Sequence, residues 1–173
     1  MKNNYSSQIV TGFNFLGIYQ ILGGIIGFVL SFIFIQFAQL SLLALLLVLG
    51  AFFLFSYSIF CGVLLLKKKP SGLRHSTINQ FLQLFMFSIL GYSFKYASGV
   101  FLALGFDITN DFIFNLNFGI SNWQIEINSG SQTLSLGFNF VALILIFYIS
   151  KLKIKVQTQW MQDQISEIGE SVI

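Results

Sequence analysis

The sequence predicts an all-α integral membrane protein with four transmembrane helices, and three observations predict it. The first is composition. The 173 residues include nine basic and six acidic side chains, only 9% charged, against 55% hydrophobic, with a mean hydropathy of +0.81. A soluble domain carries about 25% charged residues. The few charges here cannot coat a 19.5 kDa globule, which excludes a cytosolic enzyme and a disordered chain. The lone Cys61 excludes an internal disulfide framework. The second observation is four apolar stretches approaching or exceeding the ~20 residues that cross a bilayer. The third is the one-sided distribution of Lys and Arg.

The first span covers residues 13–37 and contains no charge. Its apolar run is too long for a signal-peptide core of about 7–15 residues, so it reads as a retained span. The second covers 40–66, is also charge-free, and stops at Lys67-Lys68-Lys69-Pro70, where proline blocks continuation of the helix. These two are apolar on every face, which fits a helix and not an alternating barrel strand. The third span covers 77–106, opening at a Ser76 or Thr77 cap and passing Asn79, Gln80 and Gln83, with Lys95 as its only charge. The fourth covers 134–152, centred on VALILIFYI.

Basic residues in short loops favour the cytoplasm. Lys2, Lys67, Lys68, Lys69, Arg74, Lys151, Lys153 and Lys155 fall on one side of this layout. Both termini are therefore expected inside, in a bacterial inner membrane. An outer loop over 107–133 then carries Asp107, Asp111 and Glu126 and no basic residue. Phe112, Phe114, Leu116 and Phe118 alternate with polar or smaller neighbours, as do Trp123, Ile125 and Ile127. Period-two alternation predicts a small β-hairpin turning at 119–122, with room for a short third strand near 133–136. Residues 1–155 form the expected transmembrane domain. Residues 156–173 form a cytoplasmic amphipathic tail, with Met161, Ile165, Ile168 and Val172 on one helical stripe.

Catalysis needs convergent groups, and none are visible. His75 is the only histidine, the spans hold no acid, and no phosphate loop or zinc spacing occurs. No catalytic residue, metal, cofactor or nucleic-acid partner is expected. Lys95 is the one ionisable group inside a span. Such residues are functional candidates by default, although a lysine near a helix end also snorkels to the headgroups. With Asn14, Tyr19 and Gln20 it makes a candidate intramembrane polar site. Gly23, Gly27 and Ser31 on the first helix, and Gly91, Gly99 and Ala103 on the third, make small-residue faces suited to close helix packing. The expected function is a structural or interaction subunit of a homo-oligomer or larger membrane complex, partnered by the bilayer and by itself or other membrane subunits. The rival is a homo-oligomeric pore or small-solute carrier using Lys95. A membrane enzyme dependent on a cofactor or partner comes third.

Overall fold

Helix formation follows the charge-free runs as far as Leu66 and then departs from expectation. In the computed structural model, residues 5–37, 41–109 and 112–171 are described. Lys2, Asp111 and Val172, used above for topology and for the tail stripe, lie outside them. Helix α1 (Ser7–Phe37) and helix α2 (Leu42–Leu66) are long and unbroken. Ser41 caps α2, its Oγ accepting from the Ala44 N–H at 3.1 Å. The chain leaves α2 through Lys68, held at a left-handed φ of 55°. Pro70 then opens α3 (Pro70–Leu84) at a first-turn position where a missing N–H costs nothing.

The expected third span is not a helix. After Leu84 the chain forms strand β1 (Phe85–Ile89), turns, and forms strand β2 (Tyr92–Asp107). The aromatic residues of FMFSI and YSFKY suit strands, and Gly91 and Gly99 disfavour a continuous helix through them. Ile89 pairs with Tyr92 across Leu90 and Gly91, whose φ values are 46° and 88°. Two consecutive positive φ values make the tight turn that matches strand twist. The expected fourth span also fails. Strand β4 (Leu134–Asn139) takes its first residues, and α4 (Phe140–Ser171) starts only at Phe140. Its apolar stretch meets Lys151 too soon to cross a bilayer, and the tail continues the same helix. The expected hairpin is replaced by one continuous strand, β3 (Ile113–Glu126), paired with β2 along its length. The phase change between Phe118 and Trp123 is absorbed by a bulge, at the register shift between Ala97 and Val100, opposite Ser121 at φ 40°. An all-α, four-span architecture is therefore overturned: among the described residues, four helices join a four-stranded antiparallel sheet. Among the described residues two helices, Ser7–Gln36 and Leu42–Leu66, are long and apolar enough to cross a membrane.

The N-terminal half of α1, the C-terminal end of α2, α3 and α4 form a bundle around Ile9, Phe13, Leu16, Leu65, Leu73, Ile149 and Leu152. The Lys68 ammonium reaches Asn14 of α1 here, and Lys155 donates to Gln8 Oε1 at 3.0 Å. The sheet has strand order β1-β4-β2-β3, with β1 also pairing the start of β2. Because β1 meets β2 as well as β4, and β4 meets the far end of β2, the sheet curls back on itself. Residues opposite one another in antiparallel strands share a face. One face therefore carries the rows Glu126–Ser93–Ser88–Ser135–Asp107, Gln124–Lys95, Met86–Gly137–Gly105–Asn115 and Asn139–Ala103–Asn117. The other carries Phe87, Phe94, Leu104, Phe106, Phe114, Leu116, Phe118, Leu136 and Phe138. The concave face combines these polar side chains with the buried cluster of Met86, Ala97, Phe101 and Ala103, and the outer face is apolar.

Candidate functional site

Two polar regions lie on either side of β2. The first is buried among α1, α2, α3 and β2. Gln20 comes from the small-residue region of α1, Ser58 from α2, and Ser76, Asn79 and Gln83 from one face of α3 at helical spacing. Tyr96 and Ser98 come from β2. Gln20 Nε2 donates to Ser76 Oγ at 2.9 Å, and Asn79 Nδ2 donates to Gln20 Oε1 at 3.2 Å and Ser58 Oγ at 3.1 Å. The Tyr96 hydroxyl donates to Leu54 O at 2.9 Å and lies 3.1 Å from Asn79 Oδ1. Ser98 Oγ donates to Ser58 Oγ at 2.8 Å, and the Ser98 N–H donates to Gln83 Oε1 at 2.8 Å. Both amide atoms of Gln80, and Gln83 Nε2, are buried without a hydrogen-bond partner. Burial pushes the Tyr96 pKa up, so its hydroxyl stays neutral and donates. This network holds no group poised for acid–base work near neutral pH; it fixes the seating of β2 on three helices.

The second region is the concave face of the sheet. A cavity of about 180 Å³ is lined by Ser88, Ser93, Lys95, Asp107, Asn115, Asn117, Gln124 and Ser135, together with Gly105, Gly137 and the apolar Met86, Phe87, Ala103, Phe106 and Leu136. Lys95 is half-buried, and its ammonium lies 5.3 Å from the Phe101 ring centroid. Desolvation lowers its pKa from the ordinary lysine value. Two acids, Asp107 and Glu126, lie on the same face, and each accepts hydrogen bonds from near neighbours in sequence. Asp107 Oδ1 accepts from the Thr109 N–H at 2.9 Å and the Thr109 hydroxyl at 2.6 Å, which holds that carboxyl below its ordinary pKa. Glu126 accepts from Gln124 Nε2 at 2.8 Å and Ser129 Oγ at 3.2 Å.

The four polar residues singled out in the sequence occupy separate settings. Lys95 lines the concave cavity, Gln20 belongs to the buried network, and Asn14 meets Lys68 at the basic end of the bundle. The Tyr19 hydroxyl donates to Val100 O at 2.8 Å. Gly23 packs on the backbone of Ser98 and Gly99, while Gly27 faces the Phe55 ring, and Ser31 Oγ donates to Gly27 O. Gly91 occupies the β1–β2 turn, Gly99 the bulge at φ 99°, and Ala103 the concave face. His75 Nδ1 lies 3.1 Å from the Tyr57 hydroxyl, away from both regions. No group of three or more His, Cys, Asp or Glu able to hold a metal occurs among the described residues. Sequence reasoning missed Ser88, Ser93, Asn115, Asn117 and Ser135. The signal was present as Ser, Asn and Gly alternating with aromatics, once those segments are read as strands.

Fold and site together define a pair of long apolar helices carrying a curled antiparallel sheet with a polar hollow. No family model matches the chain, and no curated protein or solved structure matches it either.

Proposed function

We propose that the chain is a membrane-anchored interaction subunit that self-associates through β3. The observation carrying this reading is the combination of an open edge and a bare apolar face on the same strand. Among the described residues β3 pairs with β2 on one side only. Phe114, Leu116 and Phe118 are 60%, 69% and 73% exposed. An open backbone edge is not tolerated in hydrocarbon, and an apolar surface of this extent is not left bare in water. A second copy of β3, antiparallel across a two-fold axis, satisfies both edges at once. The α1–α2 hairpin supports a bilayer anchor. Only 28% and 22% of the most apolar stretches of its two helices are buried, unlike the core helices of a soluble protein. The accompanying localisation is an inner (plasma) membrane, with Lys67–Lys69 and the rest of the basic end of the bundle on the cytoplasmic side. The rival pore reading draws no support from the geometry, since Lys95, Asn14, Tyr19 and Gln20 do not share a path.

Size determination in detergent and in lipid nanodiscs tests the proposal. A dimer that Leu116→Lys with Phe118→Lys converts to a folded monomer is the expected outcome, because edge lysines block strand addition. A wild-type chain that is monomeric in both settings overturns it.

A further inference from the structure

We propose that the concave face of the sheet binds a singly charged phosphodiester oxyanion, with Lys95 as its counter-charge. Four observations converge on it. The Lys95 ammonium faces a polar hollow, and no acidic residue pairs with it among the described residues, since Asp107 and Glu126 hold Thr109, Gln124 and Ser129 instead. Ser93, on the same face, is 5% exposed, and its Oγ has no hydrogen-bond partner. A buried hydroxyl left unsatisfied is costly unless something in the hollow meets it. The side-chain amides of Asn115 and Asn117, exposed on this face, line the same cavity and can donate into it. Finally, Gly105 and Gly137 keep the floor open, although a Cβ would fit at either. At Gly105 it would meet Asn115 O at 3.6 Å, and at Gly137 Leu104 O at 3.5 Å, which are ordinary contacts. Backbone crowding does not require these glycines.

A lysine, serine hydroxyls and carboxamides are donors suited to an oxyanion, with lysine acting as a point charge. Asp107 in the lining and Glu126 opposite Ser93 disfavour a multiply charged ion. About 180 Å³ is smaller than the ~300–1,000 Å³ of drug-sized sites, which suits a headgroup and excludes a whole lipid. Two sources carry this chemistry: a phospholipid headgroup, or a soluble glycerophosphodiester.

The test uses the full chain in phosphate-free maltoside micelles, titrated with dioctanoyl phosphatidylglycerol or with glycerophosphoglycerol and followed by the phosphorus-31 resonance. Dioctanoylglycerol, which lacks the phosphate, serves as competitor. Saturable binding that Lys95→Met weakens about tenfold or more is expected, the scale of a lost charged hydrogen bond. Lys95→Arg should retain it. Gly105→Val fills the hollow with a residue that strands favour and should weaken binding similarly while near-ultraviolet dichroism stays unchanged. It also decides the matter should Lys95→Met fail to fold. Binding of the lipid alone assigns the headgroup as source; equal binding of both assigns the soluble diester. No saturable binding, binding undiminished in Gly105→Val, or full competition by dioctanoylglycerol overturns the proposal.

Discussion

Replacing Gly23 with alanine should unseat the sheet from α1. A Cβ at Gly23 would lie 2.6 Å from Ser98 C and 2.7 Å from Gly99 Cα. These are backbone atoms of the bulge, so no side chain can swing aside. Overpacking of this kind costs about 1–3 kcal/mol. The separation also stretches three hydrogen bonds that cross or flank the contact: Ser121 Oγ to Gly23 O at 2.8 Å, Gly99 N to Ser121 Oγ at 3.0 Å, and Tyr19 OH to Val100 O at 2.8 Å. Each is worth about 1 kcal/mol net. Alanine returns at most about 1 kcal/mol of helix propensity. The balance is a loss of about 3–5 kcal/mol out of the ~5–15 that stabilises a typical fold. At about 2–4 °C per kcal/mol for a chain of this size, the melting temperature should fall by roughly 6–20 °C. Thermal unfolding in micelles, followed by Trp123 emission, measures it, since Trp123 stacks edge-on to Phe34 at 5.5 Å across the same interface. Gly50→Ala is the internal control. Nothing lies within 4 Å of its added Cβ, so it should raise the melting temperature slightly. Equal melting of Gly23→Ala and the parent chain would refute the seating of β2 on α1.

Two further substitutions probe the joints of the fold. Asn139→Ala removes the cap of α4, whose Oδ1 accepts from Val141 N at 3.1 Å and Ala142 N at 3.4 Å; the loss should be about 0.5–2 kcal/mol in thermal unfolding, with Asn139→Asp largely restoring it. Tyr96→Phe removes the donor to Leu54 O and Asn79 Oδ1 and should destabilise by about 1–3 kcal/mol near neutral pH. The raised folded-state pKa of Tyr96 adds a pH signature. Its contribution is fully present below the ordinary tyrosine value of 10.0 and is lost as pH rises toward the folded-state pKa, because the unfolded chain sheds a proton that the native state retains. The parent chain should therefore weaken in alkali more steeply than Tyr96→Phe, and parallel pH profiles would count against that burial.

The helical hairpin was legible because α1 and α2 satisfy their backbone locally and are apolar all round. The strands were not, because length and apolarity do not distinguish a long helix from two strands with a tight turn. In residues 77–106 the decisive signals were local: aromatic residues in FMFSI and YSFKY, and glycines at 91 and 99 that both need positive φ. Read as a helix, those glycines formed a packing stripe. The alternation in 112–127 was visible, but its partner was not. A hairpin is the nearest pairing for such a segment, and only the tertiary presence of β2 makes the single strand β3 preferable. Lys95 stood out in sequence for its charge, but its surroundings depend on strand register, which pairs it with Gln124 and sets it on one face with Ser93.

The direction of the curl follows from side-chain size. The concave face carries Ser88, Ser93, Ala103, Gly105, Ser135 and Gly137, while phenylalanines dominate the convex face. Bending a sheet crowds its inner side chains and spreads its outer ones, so small residues belong inside. Small residues are also the weakly apolar ones, so the curvature that closes the sheet leaves its hollow open and exposes the serine hydroxyls to it. Curvature does not account for the larger side chains on this face, Lys95 above all. It is long, charged and half-buried on the face where bulk is disfavoured, and curvature would be better served by alanine or serine. Phe101 shares that face and shields the lysine stem, but a ring face supplies only part of what water gave the ammonium. An ammonium held there without an ion pair among the described residues is the counter-charge of the proposed phosphodiester site, and the unsatisfied Ser93 hydroxyl lies on the same face.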